Sequence, residues 1–145
     1  MVEVTMKVEG LDEIIQQMQA LPRTLDTEMG RVMHQSMHIL ESKVPDYPPV
    51  PAGSKYIRRH LLGNSLTASG DLHVSKIEKL GVMHQATFGS AVKYAPYVIS
   101  DEMQAEIHQG WWWTMSVIAE RAQSAIEQLF QAVAEKMARF LDRQK

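Results

Sequence analysis

The chain has 145 residues, 45% of them hydrophobic and 22% charged, with a net charge of −2 and no cysteine. That length suits one domain that buries roughly two thirds of its unfolded surface, and the composition is that of an ordinary globular protein. The missing cysteine excludes disulfide frameworks, zinc ribbons and cysteine nucleophiles, and the near-neutral charge excludes an overall basic footprint for nucleic acid.

Met1–Glu9 reads as a strand, because Val2, Val4, Met6 and Val8 alternate with Glu3, Thr5, Lys7 and Glu9. Gly10 ends it. Leu11, Ile14, Ile15 and Met18 then carry the stripe of a short amphipathic helix. Leu21-Pro22 interrupts that pattern and opens a second helix running to about Val44, with Leu25, Met29, Val32, Met33, Met37 and Leu40 in helical period. Pro45, Pro48, Pro49 and Pro51 follow. Such a run is neither helix nor central strand. Residues 45–54 are therefore expected to form an extended loop around Tyr47 that reaches beyond the domain body. Lys55–Ser65 is mixed, with room for a short helical turn. Leu72–Glu78 and Val82–Ser90 are the remaining strands, joined near Lys79-Leu80-Gly81 as a hairpin. Ser100 is placed as an N-cap for a short helix over Asp101–Gln109, with acids in its first turn, His108 in its last and Gly110 just beyond. Met115–Leu141 gives the longest helix, striped by Ile118, Ala122, Ala125, Ile126, Leu129, Val133, Met137 and Phe140.

Charge is uneven along this order. Residues 1–50 hold four basic and eight acidic residues (net −4), residues 51–90 five and two (+3), and residues 91–145 six and seven (−1). A bipolar molecule of this kind can stack or ring with copies of itself. No secretory signal, lipidation motif or long apolar run is present, which leads to the expectation of a soluble chain made in the cytoplasm, with no membrane partner.

Trp111, Trp112 and Trp113 are consecutive. In a strand the middle ring points away from its neighbours; in a helix successive rings lie about 100° apart. One small core cannot take all three from one side, so at least one ring is expected at the surface or against a partner, where tryptophan is enriched.

Three constellations bear on chemistry. His34 and His38 are four apart on the second helix, but the residue after the first is Gln35, where a zincin needs a glutamate base. Glu41 is the only nearby further ligand for a metal. Two polar residues flanking an apolar stripe are the simpler reading. Asp101, Glu102, Glu106 and His108 form an acidic cluster, yet acids at a helix start and a histidine near its end are what the macrodipole favours. Lys55, Arg58 and Arg59, with Tyr56 and His60, make a basic–aromatic patch that could touch phosphates or an acidic region of a second copy. No phosphate-cradling glycine loop or dinucleotide fingerprint occurs. The expectation is a non-enzymatic protein without cofactor or catalytic metal. Its alternatives are a nucleic-acid-binding module built on the 55–60 patch and, behind that, a metal-dependent hydrolase using His34, His38 and Glu41.

The motifs have a familiar order. Val8-Glu9-Gly10-Leu11-Asp12-Glu13-Ile14 runs from strand to helix. Tyr47-Pro48-Pro49, Tyr56-Ile57-Arg58-Arg59 and Leu62-Gly63-Asn64-Ser65-Leu66-Thr67-Ala68-Ser69 follow. Val92-Lys93-Tyr94-Ala95-Pro96-Tyr97-Val98 comes next, and His108-Gln109-Gly110-Trp111-Trp112 precedes a long last helix. Over most of its length the chain resembles the small tail-completion (head–tail joining, or neck) proteins of long-tailed bacteriophages. It departs from them at Leu62, where threonine is usual before the glycine, and at Ile99-Ser100-Asp101, where many relatives have Glu-Phe-Gly-Thr. Both departures bear on loop conformation. The resemblance implies an α+β fold, a small, mostly antiparallel sheet packed by two N-terminal helices and one long C-terminal helix. It also implies a structural virion protein of the neck or tail, assembled in the host cytoplasm into rings, commonly of six. Such rings complete the tail and mate the tail tube to the head connector or stopper, and DNA passes their channel without tight binding. Tyr47, Tyr94, Pro96, Tyr97, His108, Trp111, Trp112 and Trp113 are the candidate subunit contacts.

Overall fold

A computed structural model describes residues 1–7, 22–55, 58–67, 70–80 and 83–143, with the side chains of 22–25 and 141 set aside. The alternation at the start of the chain forms β1, Val2–Lys7, with Val2 buried, Val4 and Met6 packed against the core and Glu3, Thr5 and Lys7 exposed. The hairpin follows as β2, His73–Leu80, and β3, Met83–Ser90, with Leu80 opposite Met83. β3 is central: the order is β1-β3-β2, and both pairings are antiparallel. Ala86, Thr87, Phe88, Gly89 and Ser90 are all buried, so this stretch of β3 lacks the in–out alternation of a half-exposed strand.

The helices lie on the Val2–Phe88 side. α1 spans Pro22–Ser42 and buries Met29, Val32, Met33, Met37 and Leu40. Its one polar residue in that stripe, Ser36, is satisfied by donating to the Val32 carbonyl at 2.8 Å. α2 is the short Leu61–Thr67 helix, which buries Leu62, Ser65 and Leu66. α3 is Ala95–Ile99 and α4 is Met115–Arg143. α1 and α4 pack together over the sheet, and Lys136 of α4 reaches Glu28 of α1 at 2.7 Å. Phe88, Met33, Leu66, Ile99 and Ile118 are fully buried where these elements meet. Each such side chain stabilises the fold by roughly 1.5–3 kcal/mol relative to exposure.

The α+β class and the antiparallel sheet agree with the expectation. Of the two N-terminal helices, Pro22–Ser42 is described; the one expected over Leu11–Met18 lies outside the described residues, as do Val8–Gly10, Tyr56 and the turn at Gly81. One expectation needs correction. No regular helix covers Asp101–Gln109: those residues hold turns and a single 3-10 turn at Glu106–His108. Ala95–Ile99, to which no element is assigned from sequence, is helical, with Pro96 in the first turn. Proline suits a helix start because its fixed φ matches and its missing N–H is not needed there.

Candidate functional site

Tyr47 is the hub on which the proline loop, α2 and the tryptophan segment converge. Its ring stacks on His60 at 5.1 Å and 18°, and meets Trp112 at 5.0 Å and 59°. Its hydroxyl accepts the Gly63 N–H at 2.5 Å. That bond ties the phenol to α2, where the early amides have no partner within the helix. Gly63 eases this approach, since a Cβ there would lie 3.1 Å from both Cε1 and the hydroxyl oxygen of Tyr47 and the phenol would have to shift by a few tenths of an ångström.

Arg58 closes the cluster. Its guanidinium sits 5.5 Å from the Tyr47 ring centre and 5.4 Å from that of Trp112, and it donates to the Pro48 carbonyl. Cation–π contacts of this kind contribute about 0.5–1 kcal/mol when partly exposed. His60 has φ of +56°, a left-handed conformation that a residue with a Cβ adopts only at a cost of roughly 1–2 kcal/mol. The stack on Tyr47 and the Asn64 N–H bonded to the His60 carbonyl at 2.9 Å hold it there.

The tryptophans separate because the chain turns at Gly110, whose φ is +74°. The amides of Trp111 and Trp112 both donate to the His108 carbonyl, at 3.0 and 2.8 Å. Trp112 and Trp113 pack against the core, Trp113 Nε1–H donates to the Asp46 carbonyl at 3.1 Å, and His108 meets Trp112 edge-on at 6.2 Å. Trp111 stays 47% exposed.

These groups line a cleft of about 480 Å³. Tyr94 (44% exposed), Tyr97 (55%), Ile107 (81%) and Trp111 form its apolar rim. Arg58, Arg59, His60 and His108 line it too, and no carboxylate does among the described residues. Six of the eight candidate contact residues thus meet at one cleft. The other two do not line it: Pro96 is buried inside the fold, and Trp113 is turned toward Asp46.

The proline loop also departs from expectation. Asp46, Tyr47 and Pro48 are bound to the chain's own domain, and residues 49–55 are exposed, with Pro51 and Ser54 at the cleft. The basic patch is divided in the same way, because Arg58 is turned onto the rings while Lys55 and Arg59 are exposed. Ile107, the most exposed of the rim residues, escaped the sequence reading. An isoleucine flanked by Glu106 and His108 in an otherwise polar stretch was the available signal.

The loop that carries the rim is fixed by polar contacts rather than by helix. Ser100 Oγ accepts the N–H groups of Glu102 and Met103 at 3.2 and 3.1 Å, as a cap would. The helix does not continue because its next residues are engaged elsewhere. Gln104 Nε2 donates to the carbonyls of Val98 and Trp112, and the Ala105 N–H donates to the Tyr97 carbonyl. Asp101 caps α4 instead: its carboxylate accepts the Ser116 N–H at 3.1 Å and the hydroxyls of Thr114 and Ser116 at 2.6 Å each. Burial pushes the Asp101 carboxyl up, but the Ser116 and Thr114 bonds outweigh it and hold the group below the ordinary carboxylate value. A depressed carboxyl adds stability above its unfolded pKa and loses it as pH falls through the folded value. Asp101→Ala is therefore expected to cost about 1 kcal/mol near neutral pH, the usual worth of a cap. The deficit should shrink toward zero in acid, as read by urea denaturation at a series of pH values.

The histidines of the metal reading do not come together. His34 is exposed. Glu41 faces His38 Nδ1 at 3.3 Å and His73 Nε2 at 3.2 Å, while His73 Nδ1 donates to the Ser65 carbonyl at 2.7 Å. This cluster ties α1 to β2 and α2. Among the described residues no group of three histidines or carboxylates is arranged to hold a metal ion.

Comparison with protein-family models, with curated proteins and with solved structures gives no match.

Proposed function

We propose that this chain is a structural, non-enzymatic protein of a long-tailed bacteriophage, which assembles into a ring at the head–tail junction, completes the tail and joins it to the connector. The observation that carries the reading is the exposed aromatic rim. Tyr94 and Tyr97, from the family-like Tyr-Ala-Pro-Tyr-Val run, stand beside Trp111 and Ile107 on a cleft held by hydrogen bonds and ring stacking. Exposed apolar side chains gathered at one place on a folded chain mark an interaction surface, and a protein partner is the occupant this reading assigns to it. The near-neutral charge suits a channel wall that lets DNA pass, since each phosphate neutralised by Lys or Arg adds affinity. With Arg58 drawn into the ring cluster, the 55–60 patch offers phosphates a small footprint, which weakens the nucleic-acid reading.

A nonsense mutation in the phage gene for this chain should leave filled heads and free tails unjoined in the electron microscope. Wild-type protein supplied in trans should join them. Trp111→Ala, at an exposed ring, should melt within about 0.5 kcal/mol of wild type yet fail to complement, whereas Trp112→Ala should lower the melting temperature itself. Complete infectious particles formed without the chain, or purified particles that lack it by mass spectrometry, would overturn the reading.

A further inference from the structure

We infer that the exposed rim of the cleft in one copy, led by Ile107 and Trp111, enters a second, different face of the next copy, the groove between β1 and α4, so that subunits join head to tail. The inference rests on the ring reading and deepens it by naming both surfaces. The groove has a volume of about 660 Å³ and is lined on its apolar side by Val4, Met6 and Phe130, and among the described residues it shares no lining residue with the cleft. Its charged lining among the described residues is Glu120 and Glu127 against Lys7, all exposed, whereas the cleft carries the exposed Arg59 and no carboxylate. Apolar surface thus faces apolar surface, and a cationic rim faces an anionic one.

The same charges argue against the simplest alternative. Two copies meeting cleft to cleft would bring Arg59 onto Arg59, and like charges across an interface suppress that pairing. A self-complementary contact closes as a dimer. A contact between two different patches on each copy repeats, and closes as a ring when the rotation permits.

The test uses the full chain, with association followed by sedimentation and light scattering over a concentration series. Wild type is expected to assemble beyond a dimer. Arg59→Glu and Glu127→Lys, both at exposed positions, are each expected to weaken association about tenfold or more with unchanged melting. Combining them in one chain should bring association back to within about threefold of wild type, and so should an equimolar mixture of the two single variants, whose copies would alternate. Single reversals without effect, additive losses in the double variant, or assembly that stops at a dimer would overturn this pairing while leaving the ring reading standing. A wild-type chain that stays monomeric at every concentration would also overturn the pairing, and the particle experiment above would then decide the ring reading separately.

Discussion

Gly89→Ala is expected to be the most damaging single-methyl change in the chain. A Cβ built on Gly89 would lie 2.1 Å from the Val2 carbonyl oxygen, 2.6 Å from Glu3 Cα and 2.9 Å from the Val2 carbonyl carbon. All three are backbone atoms of the neighbouring strand, so no rotamer change relieves the overlap; β1 must move. Gly89 pairs with Glu3 in the middle strand of three, and β1 has no partner on its other side among the described residues. The edge strand would peel outward, and Val2, Val4 and Met6 would lose their packing on the core. Forced overpacking costs about 1–3 kcal/mol when side chains can adjust. With backbone as the obstacle we expect the upper end or beyond, out of a total stability of about 5–15 kcal/mol for a domain. Thermal melting would show a fall of roughly 10 °C or more. Gly30→Ala is the matched control. It lies within α1 with nothing inside 4 Å of the added Cβ, and removing a helical glycine should stabilise by up to about 1 kcal/mol. Two glycine-to-alanine changes of opposite sign in one protein separate close approach from chain entropy.

Tyr47→Ala is expected to have the next largest effect, and one that reaches the cleft as well as the fold. The ring supports His60 in its left-handed conformation, gives Arg58 one of its two aromatic faces and braces Trp112. Truncating a fully buried aromatic costs about 3–5 kcal/mol; Tyr47 is half-buried, so about 2–3 kcal/mol is expected. Tryptophan emission should shift to the red as Trp112 meets water. Tyr47→Phe keeps the ring and removes the hydroxyl that accepts the Gly63 N–H, which should cost about 1 kcal/mol and leave the emission unchanged. If Tyr47→Ala melted like wild type, the cleft would not be the braced surface described above.

Much of the architecture was legible because burial imposes a period. Met115–Arg143 follows from its stripe, and β1 from strict alternation with one face in the core. What escaped was tertiary in origin. Ser100 carries a real cap, but Asp101, the first residue of the expected helix, serves the start of α4 instead, a partner fifteen residues away that no local window contains. The candidate contact residues were found by their excess of rings. Their arrangement was not, because it depends on Tyr47 meeting Gly63, Arg58 and Trp112 across long stretches of chain. The indole that stayed outside, Trp111, is decided by the turn at Gly110 rather than by any periodicity.

The pairing of α1 with α4 bears on how the protein is made. α1 presents Met29, Val32, Met33 and Met37, yet its helical partner, α4, is synthesised only after the whole β2–β3 hairpin and the tryptophan segment. Until Met115–Arg143 emerges, that methionine-rich stripe lacks its cover, and Asp46 and Tyr47 lack Trp113 and Trp112. Contacts between segments this far apart in sequence form late, after the cost of closing long loops has been met. The cleft is therefore completed only after the segment through Trp112 has been made. A nascent chain that stops short of Trp111 and Trp112 has no finished rim to offer any partner.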